Sequence, residues 1–322
     1  MLKILKEKNI IHKDQGYALY FYYNGKEYKE VNGKLGDENS ELITFDSNFR
    51  LASVSKQFIA YSIVDVIKKG LLKYDTTILE LYPNLPKYFE DITVRNLLNH
   101  TSGIYDYEDM PHNEDDPQVI DRDILDFLAA TTTTYFKPGT KYKYSNTAYI
   151  LLGLIVEDVT NKSIVEYIEE NIFKKAMMTE SKVNIQGKTL IKDRAYGHII
   201  NDEGNLEVQD QYWCSATIGD GGLYSSINDL KKWCKYLVSS KHFQEMKQPN
   251  YVGENEYNEY GMGLRNIKCK DKEIIYHCGS TIGTSTLLLF SLDFDICLLF
   301  LSNMNNIDTA VMKDNLVKYL EG

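Results

Sequence analysis

A chain of 322 residues, 43% of them apolar and 25% charged, has the composition of a soluble protein with enough material for one large core or two lobes. Thirty-six Lys and Arg against 46 Asp and Glu leave a net charge of −10, which removes nucleic acid and anionic membrane surfaces as default partners. The longest apolar run, Ala148–Val156, contains a glycine and falls well short of a membrane span. The opening Met1–Lys8 alternates charged with apolar residues where a secretory leader is continuously apolar, so the chain as written is expected in the cytoplasm. Five cysteines, at 214, 234, 269, 278 and 297, are odd in number and form no C-x-x-C pair, which predicts free thiols rather than a disulfide framework or zinc knuckle.

In chain order, residues 17–32 are two β-rich runs around Asn24-Gly25, a dipeptide suited to the positive φ of a tight hairpin. From Ala52 to Lys69 the period becomes helical, with Ile59, Ile63, Val66 and Ile67 on one stripe, Val54, Phe58 and Tyr61 beside it, and Gly70 as the stop. A helix apolar over so much of its circumference is predicted to be buried. Residues 75–205 read mainly as helices and loops: helices near 93–99 and 121–130, an acidic loop over 106–116, and a helix from Asn146 to Val159 after the turn Lys137-Pro138-Gly139. Strands are predicted over 260–268, 273–277, 284–292 and 295–302, followed by a terminal helix over 307–320. Connections this short force antiparallel pairing. The expected fold is α+β: an antiparallel sheet flanked by helices, built from residues 1–74 and 206–322, with a mainly helical lobe of residues 75–205 inserted between the N-terminal hairpin and helix and the C-terminal strands.

Several chemistries drop out. No serine lies in G-x-S-x-G, Gly187-Lys188-Thr189 has no upstream glycine to complete a phosphate loop, and the six histidines are scattered with no H-E-x-x-H, so no metal is predicted. What remains is Ser53-Val54-Ser55-Lys56 at the start of the buried helix. Side chains at i and i+3 share a helix face, so a hydroxyl and an amine can meet there as nucleophile and base, near the positive end of the helix dipole. The alternative is a solvated lysine at a helix start. Tyr144-Ser145-Asn146 lies where a second helix begins, as chemistry or as a simple capping group. His277-Cys278-Gly279-Ser280 ends a predicted strand, and its glycine would allow a substrate close to the strand backbone.

In combination these segments resemble the serine β-lactamase-like hydrolases, the group that contains class C β-lactamases, D-alanyl-D-alanine carboxypeptidases, D-aminopeptidases and various esterases. Leu97–Gly103 (LLNHTSG), Gly221–Ser226 (GGLYSS) leading into Asp229-Leu230, and Tyr260–Leu264 (YGMGL) are similar to family flanks and run in family order over roughly residues 15–305. The resemblance implies a β-lactamase/transpeptidase-like fold with the active site in the cleft between the lobes, Ser53 as the acylated nucleophile, and Lys56 and Tyr144 handling its proton. It further implies that Asn146 holds Lys56 and a substrate amide, that His277, Gly279 and Ser280 line the opposite wall, and that the backbone N–H groups of Ser53 and Ser280 form an oxyanion hole. The loop at 99–103 is expected to shape the site without taking part in the chemistry.

The third motif begins with His277 where class C β-lactamases usually carry lysine. That moves the resemblance towards peptidases, amidases and esterases. An unperturbed imidazole titrates near about 6.5, so the cleft's positive charge is expected to fade with rising pH, with Arg265 as the rival ligand for a substrate carboxylate. The implied activity is that of a cofactor-independent serine hydrolase working through an acyl-enzyme on a small-molecule or short-peptide amide or ester: a D-amino amide or peptide, a short acyl ester or a β-lactam. The alternative is a non-catalytic binding or regulatory protein that keeps the fold. The acidic loop over 106–116 reads either as a solvated surface loop or as a lid that disfavours anionic substrates.

Overall fold

The computed structural model describes residues 15–113, 116–252 and 256–322. The leader reading at Met1–Lys8 and two acidic positions of the 106–116 loop, Glu114 and Asp115, lie outside the described residues. The main sheet has six antiparallel strands: β1 (Tyr17–Tyr23), β2 (Lys26–Asn32), β3 (Arg265–Cys269), β4 (Lys272–Thr281), β5 (Thr284–Ser291) and β6 (Ile296–Ser302), in the order β3-β4-β5-β6-β1-β2. The N-terminal hairpin therefore docks on the last C-terminal strand, with Tyr17 opposite Ser302 and Tyr23 opposite Ile296. Its turn uses the predicted dipeptide, with φ of 46° at Asn24 and 77° at Gly25.

Alternation sends each strand's side chains to two different cores. Ala18, Tyr20, Leu288, Phe290, Leu299 and Leu301 join the large core shared with the helices. Tyr17, Leu19, Phe21, Leu287, Leu289, Leu298 and Phe300 pack on the other face with Met312, Leu316 and Leu320 of the terminal helix. Four longer helices matter for the site: α1 (Lys56–Lys68), α2 (Asn146–Thr160), α3 (Ile227–Ser239) and α4 (Thr309–Glu321). The first is buried from Lys56 to Val66 and packs against α2. Burial of side chains such as Phe58, Ile59, Ile63 and Val64 contributes on the order of 1.5–3 kcal/mol each, which anchors the residues just before the helix.

Three sequence readings change. The strand predicted over 260–268 begins only at Arg265, because Tyr260–Leu264 is a tight turn closed by the Gly261 N–H donating to the Leu264 carbonyl at 2.8 Å. The 13-residue helix α3 has no predicted counterpart, although Ser226 accepts the Asp229 N–H as an N-cap. Within 75–205, short strands at Lys182–Val183 and His198–Ile200 accompany the helices, and Lys182–Val183 pairs with Leu223–Ser225, which also pairs with Phe49–Arg50. Among the described residues no helix is long and apolar enough to cross a membrane.

Candidate active site

Ser53 lies in a single 3-10 turn, Ala52–Ser55, which passes directly into α1 at Lys56. In a 3-10 turn residues three apart eclipse, a closer alignment than an α-helix gives. The Lys56 ammonium nitrogen accordingly donates to Ser53 Oγ at 3.1 Å, to Asn146 Oδ1 at 2.7 Å and to the Asp220 carbonyl at 2.8 Å. Lys56 is completely buried, so the solvated alternative does not hold. The partner set suits either protonation state: an ammonium has three hydrogens for three acceptors, and a neutral amine has two hydrogens for Asn146 and Asp220 and a lone pair for the Ser53 hydroxyl.

The Asp220 carbonyl is fixed by its loop. Asp121 accepts the N–H groups of Ile218 and Gly219 at 2.7 and 3.2 Å, and Arg50 donates to the Ser215 carbonyl at 2.9 Å. At the start of α2 the capping and cleft roles are divided. Ser145 Oγ accepts the Ala148 N–H at 3.2 Å, leaving Tyr144 and Asn146 on either side of the cap to face the cleft. The Tyr144 hydroxyl is buried with no hydrogen-bond partner among the described residues, and its ring centroid is 5.0 Å from Lys56 Nζ.

The opposite wall is β4. Strand β3 pairs with it only as far as Tyr276, opposite Arg265, so on that side His277–Thr281 presents an edge with no strand neighbour among the described residues. Gly279 on that edge serves the protein itself. A Cβ there would lie 2.5 Å from the Leu51 carbonyl and 3.0 Å from the Ser53 nitrogen, so only glycine lets β4 come this close to the nucleophile's turn. Thr286 Oγ1 donates to the same Leu51 carbonyl at 2.9 Å, tying the turn to the sheet. Ser53, Tyr144, Asn146, His277, Gly279 and Ser280 thus border one cleft of about 390 Å³.

His277 differs from its sequence reading. It is 2% exposed, and burial, followed by the positive charges of Arg265 and Lys56, pushes its imidazole down to about 3. Its Nδ1 lies 2.6 Å from the Cys278 carbonyl, which can only accept, so Nδ1 carries the proton and Nε2 accepts from the Tyr260 hydroxyl at 3.1 Å. A neutral ring with both nitrogens engaged does not give the cleft a pH-dependent positive charge. The wall's permanent positive charge is instead Arg265, which donates to Glu259 at 2.7 Å and to the Tyr142 hydroxyl at 3.2 Å.

The cleft lining also includes two acidic groups, Glu108 of the loop that the lid alternative set over the cleft and Asp220, which the sequence reading did not assign to it. Asp220 Oδ2 accepts the Tyr107 hydroxyl at 2.9 Å, while Oδ1 is buried without a partner among the described residues. Glu108, open to water at the mouth, has its carboxyl pushed up to about 7, by desolvation on the cleft side first and then by the charges of Asp106 and Asp220. The part of the 106–116 loop nearest the site therefore contributes directly to its wall. Among the described residues no group of His, Cys, Asp and Glu could hold a metal ion.

The sequence matches the Beta-lactamase family over residues 4–320. The chain belongs to that family. It is 31% identical over 316 residues to penicillin-binding protein 4* of Bacillus subtilis, covering 91% of this chain and 67% of that protein. It is 25% identical over 252 residues to a D-aminopeptidase of Brucella anthropi, covering 75% of this chain and 46% of that protein. This beta-lactamase-family chain thus spans from about half to two thirds of the length of these relatives. Among solved structures it shares its fold with an octameric penicillin-binding protein homologue from Pyrococcus abyssi, with a TM-score of 0.80 at 24% identity over 95% of this chain and 73% of that one. D-amino acid amidase from Ochrobactrum anthropi SV3 has a TM-score of 0.77 at 24% identity over 95% and 92% of the two chains.

Proposed function

We propose that the protein is a serine hydrolase that cleaves an amide or ester of a small acyl donor through a covalent intermediate on Ser53. The observation that carries this reading is the Lys56 nitrogen, 3.1 Å from Ser53 Oγ and fixed by two further acceptors in a fully buried position. Oγ bonds to the substrate carbonyl carbon as its proton passes to the Lys56–Tyr144 pair. The same pair returns a proton to the leaving amine or alcohol, and water then repeats the sequence to free the acid. The backbone N–H groups of Ser53 and Ser280, on the turn and on the open strand edge, are the proposed oxyanion donors. Asn146 holds Lys56 and offers its remaining amide hydrogens to the substrate.

The charges on the two walls narrow the substrate class. Glu108 and Asp220 favour an acyl donor with a free ammonium group, and Arg265 favours a carboxylate on the other side. This agrees with the relatives whose names include D-aminopeptidase and D-amino acid amidase. The test is p-nitrophenyl acetate followed by paired D-amino amides with free and N-acetylated amines. The expected result is a burst stoichiometric with protein, steady turnover, and preference for the free amine. Nitrophenolate release equal to that of Ser53→Ala overturns the reading, and acylation without turnover favours a binding protein.

A further inference from the structure

Among the described residues the Tyr144 hydroxyl has no hydrogen-bond partner to aim it. Its direction is set by its own backbone and by what packs on its ring. His100 contributes to both, and Tyr260, His277, Lys56 and Arg265 complete the surroundings of the ring. The His100 carbonyl accepts the Lys143 N–H at 3.0 Å, and His100 Nδ1 accepts the Ser145 N–H at 3.1 Å. The imidazole also lies on the Tyr144 ring with centroids 4.3 Å apart and planes inclined by 36°. His100 is completely buried and adopts φ of +58°, a left-handed conformation that costs a non-glycine residue on the order of 1 kcal/mol.

That strain sits at the centre of a seam. Gly103 and Thr101 carbonyls accept the N–H groups of Tyr135 and Gly139 at 2.7 and 2.8 Å, so the 99–103 loop is zipped to the segment leading into Tyr144. Beyond the cap, Asp106 Oδ2 accepts the Asn146 N–H at 2.6 Å. His100 also reaches the other wall: its ring is 4.4 Å from that of Tyr260, whose hydroxyl donates to His277.

We propose that His100 is a positioning residue that aims the Tyr144 phenol at the Ser53–Lys56 pair by gripping residues 143–145 at three points. This rests on the proton-handling role proposed for Tyr144. It gives the 99–103 loop a part in the chemistry that shaping alone would not.

The test is a double-mutant cycle on the rate of Ser53 phosphonylation by a fluorophosphonate, followed by intact mass. His100→Asn keeps an acceptor for the Ser145 N–H and tolerates positive φ, but removes the ring. It is expected to slow phosphonylation about 10- to 100-fold, as misplacement of a reacting group does. In a Tyr144→Phe background the same change is expected to cost less than about twofold, because the group that His100 aims is already gone. In p-nitrophenyl acetate turnover, normalised to titrated sites, the loss is expected in kcat with KM within about threefold. Equal fold-losses in the two backgrounds, or unchanged phosphonylation in His100→Asn, overturn the proposal. Absence of Ser53 phosphonylation in the unmodified protein overturns the acyl-enzyme reading instead. Because a lowered folded fraction scales the observed rate by that fraction, each rate constant is divided by the folded fraction taken from a thermal melt of the same variant.

Discussion

Replacing Gly279 by alanine puts one methyl group where β4 meets the turn that carries Ser53. The added Cβ would stand 2.5 Å from the Leu51 carbonyl, so the strand and the turn must separate by about 0.9 Å to restore an ordinary contact of 3.4 Å. The Thr286 hydroxyl, 2.4 Å away, must give up its hydrogen bond to the same carbonyl or move with β5. Overpacking of this kind costs about 1–3 kcal/mol of stability, which a core of this size absorbs without unfolding. The catalytic cost is larger in proportion. The two proposed oxyanion donors sit on the two pieces being pushed apart, and a displacement near 1 Å at such a site costs on the order of 10²-fold in rate. The assay is kcat/KM for p-nitrophenyl acetate, normalised to folded protein by a thermal melt. The expected result is a loss of about 100-fold with a melting temperature only a few degrees lower. A folded Gly279→Ala protein within about threefold of the original kcat/KM refutes the convergence of β4 and the Ser53 turn on one oxyanion.

Lys56→Ala and Tyr144→Phe should each reduce acylation steeply, and the double variant should be little worse than the worse single; losses that add in free energy would show two independent groups. In a Glu108→Gln background, which removes the cleft carboxyl pushed up to about 7, the ratio of kcat/KM for a carboxylate-bearing ester to that for its neutral analogue should be flat from about pH 5.5 to 8.5, because burial pushes His277 down to about 3 and keeps it neutral throughout, and should collapse when Arg265→Ala is added; a ratio that still falls through about pH 6.5 would return the charge to the histidine. The same shift has a consequence for stability. Above about pH 6.5 His277 is neutral in both folded and unfolded chains, and below it only the unfolded chain gains the proton, so stability is lost on acidification towards pH 3, by about 3 kcal/mol at pH 4. His277→Gln, which cannot titrate, should therefore lose less melting temperature between pH 6.5 and 4, and an equal loss would contradict the buried, neutral assignment. Cys278, whose thiol burial pushes up, should be replaceable by serine with activity kept within about threefold, and complete loss in a folded variant would give the thiol a chemical role.

The parts of the site written as side chains at fixed spacing were legible. Ser53 and Lys56 are three apart at a helix start and could be placed on a shared face before any tertiary contact was known, and Tyr144 and Asn146 could be placed at the start of a second helix. The hairpin at Asn24-Gly25 was legible because few dipeptides favour two successive positive φ values. Other parts depend on neighbours distant in the chain. The third acceptor on Lys56 is a backbone carbonyl at Asp220, and a carbonyl has no residue signature. His277 reads as a titratable imidazole until Tyr260 and Arg265 are packed against it. Strands of two or three residues, as at 182–183 and 223–225, are too short to display a period, and the apolar stripe of α3 is interleaved with Lys231, Lys232 and Lys235.

The central claim is that Ser53 carries the acyl group, and mapping the covalent adduct tests it most directly. After brief exposure to a fluorophosphonate or a slow ester, digestion and fragmentation by mass spectrometry should place one adduct per chain on Ser53, none on Ser55 or Ser280, and none anywhere in Ser53→Ala. An adduct on another residue, or turnover that survives Ser53→Ala, would contradict the account.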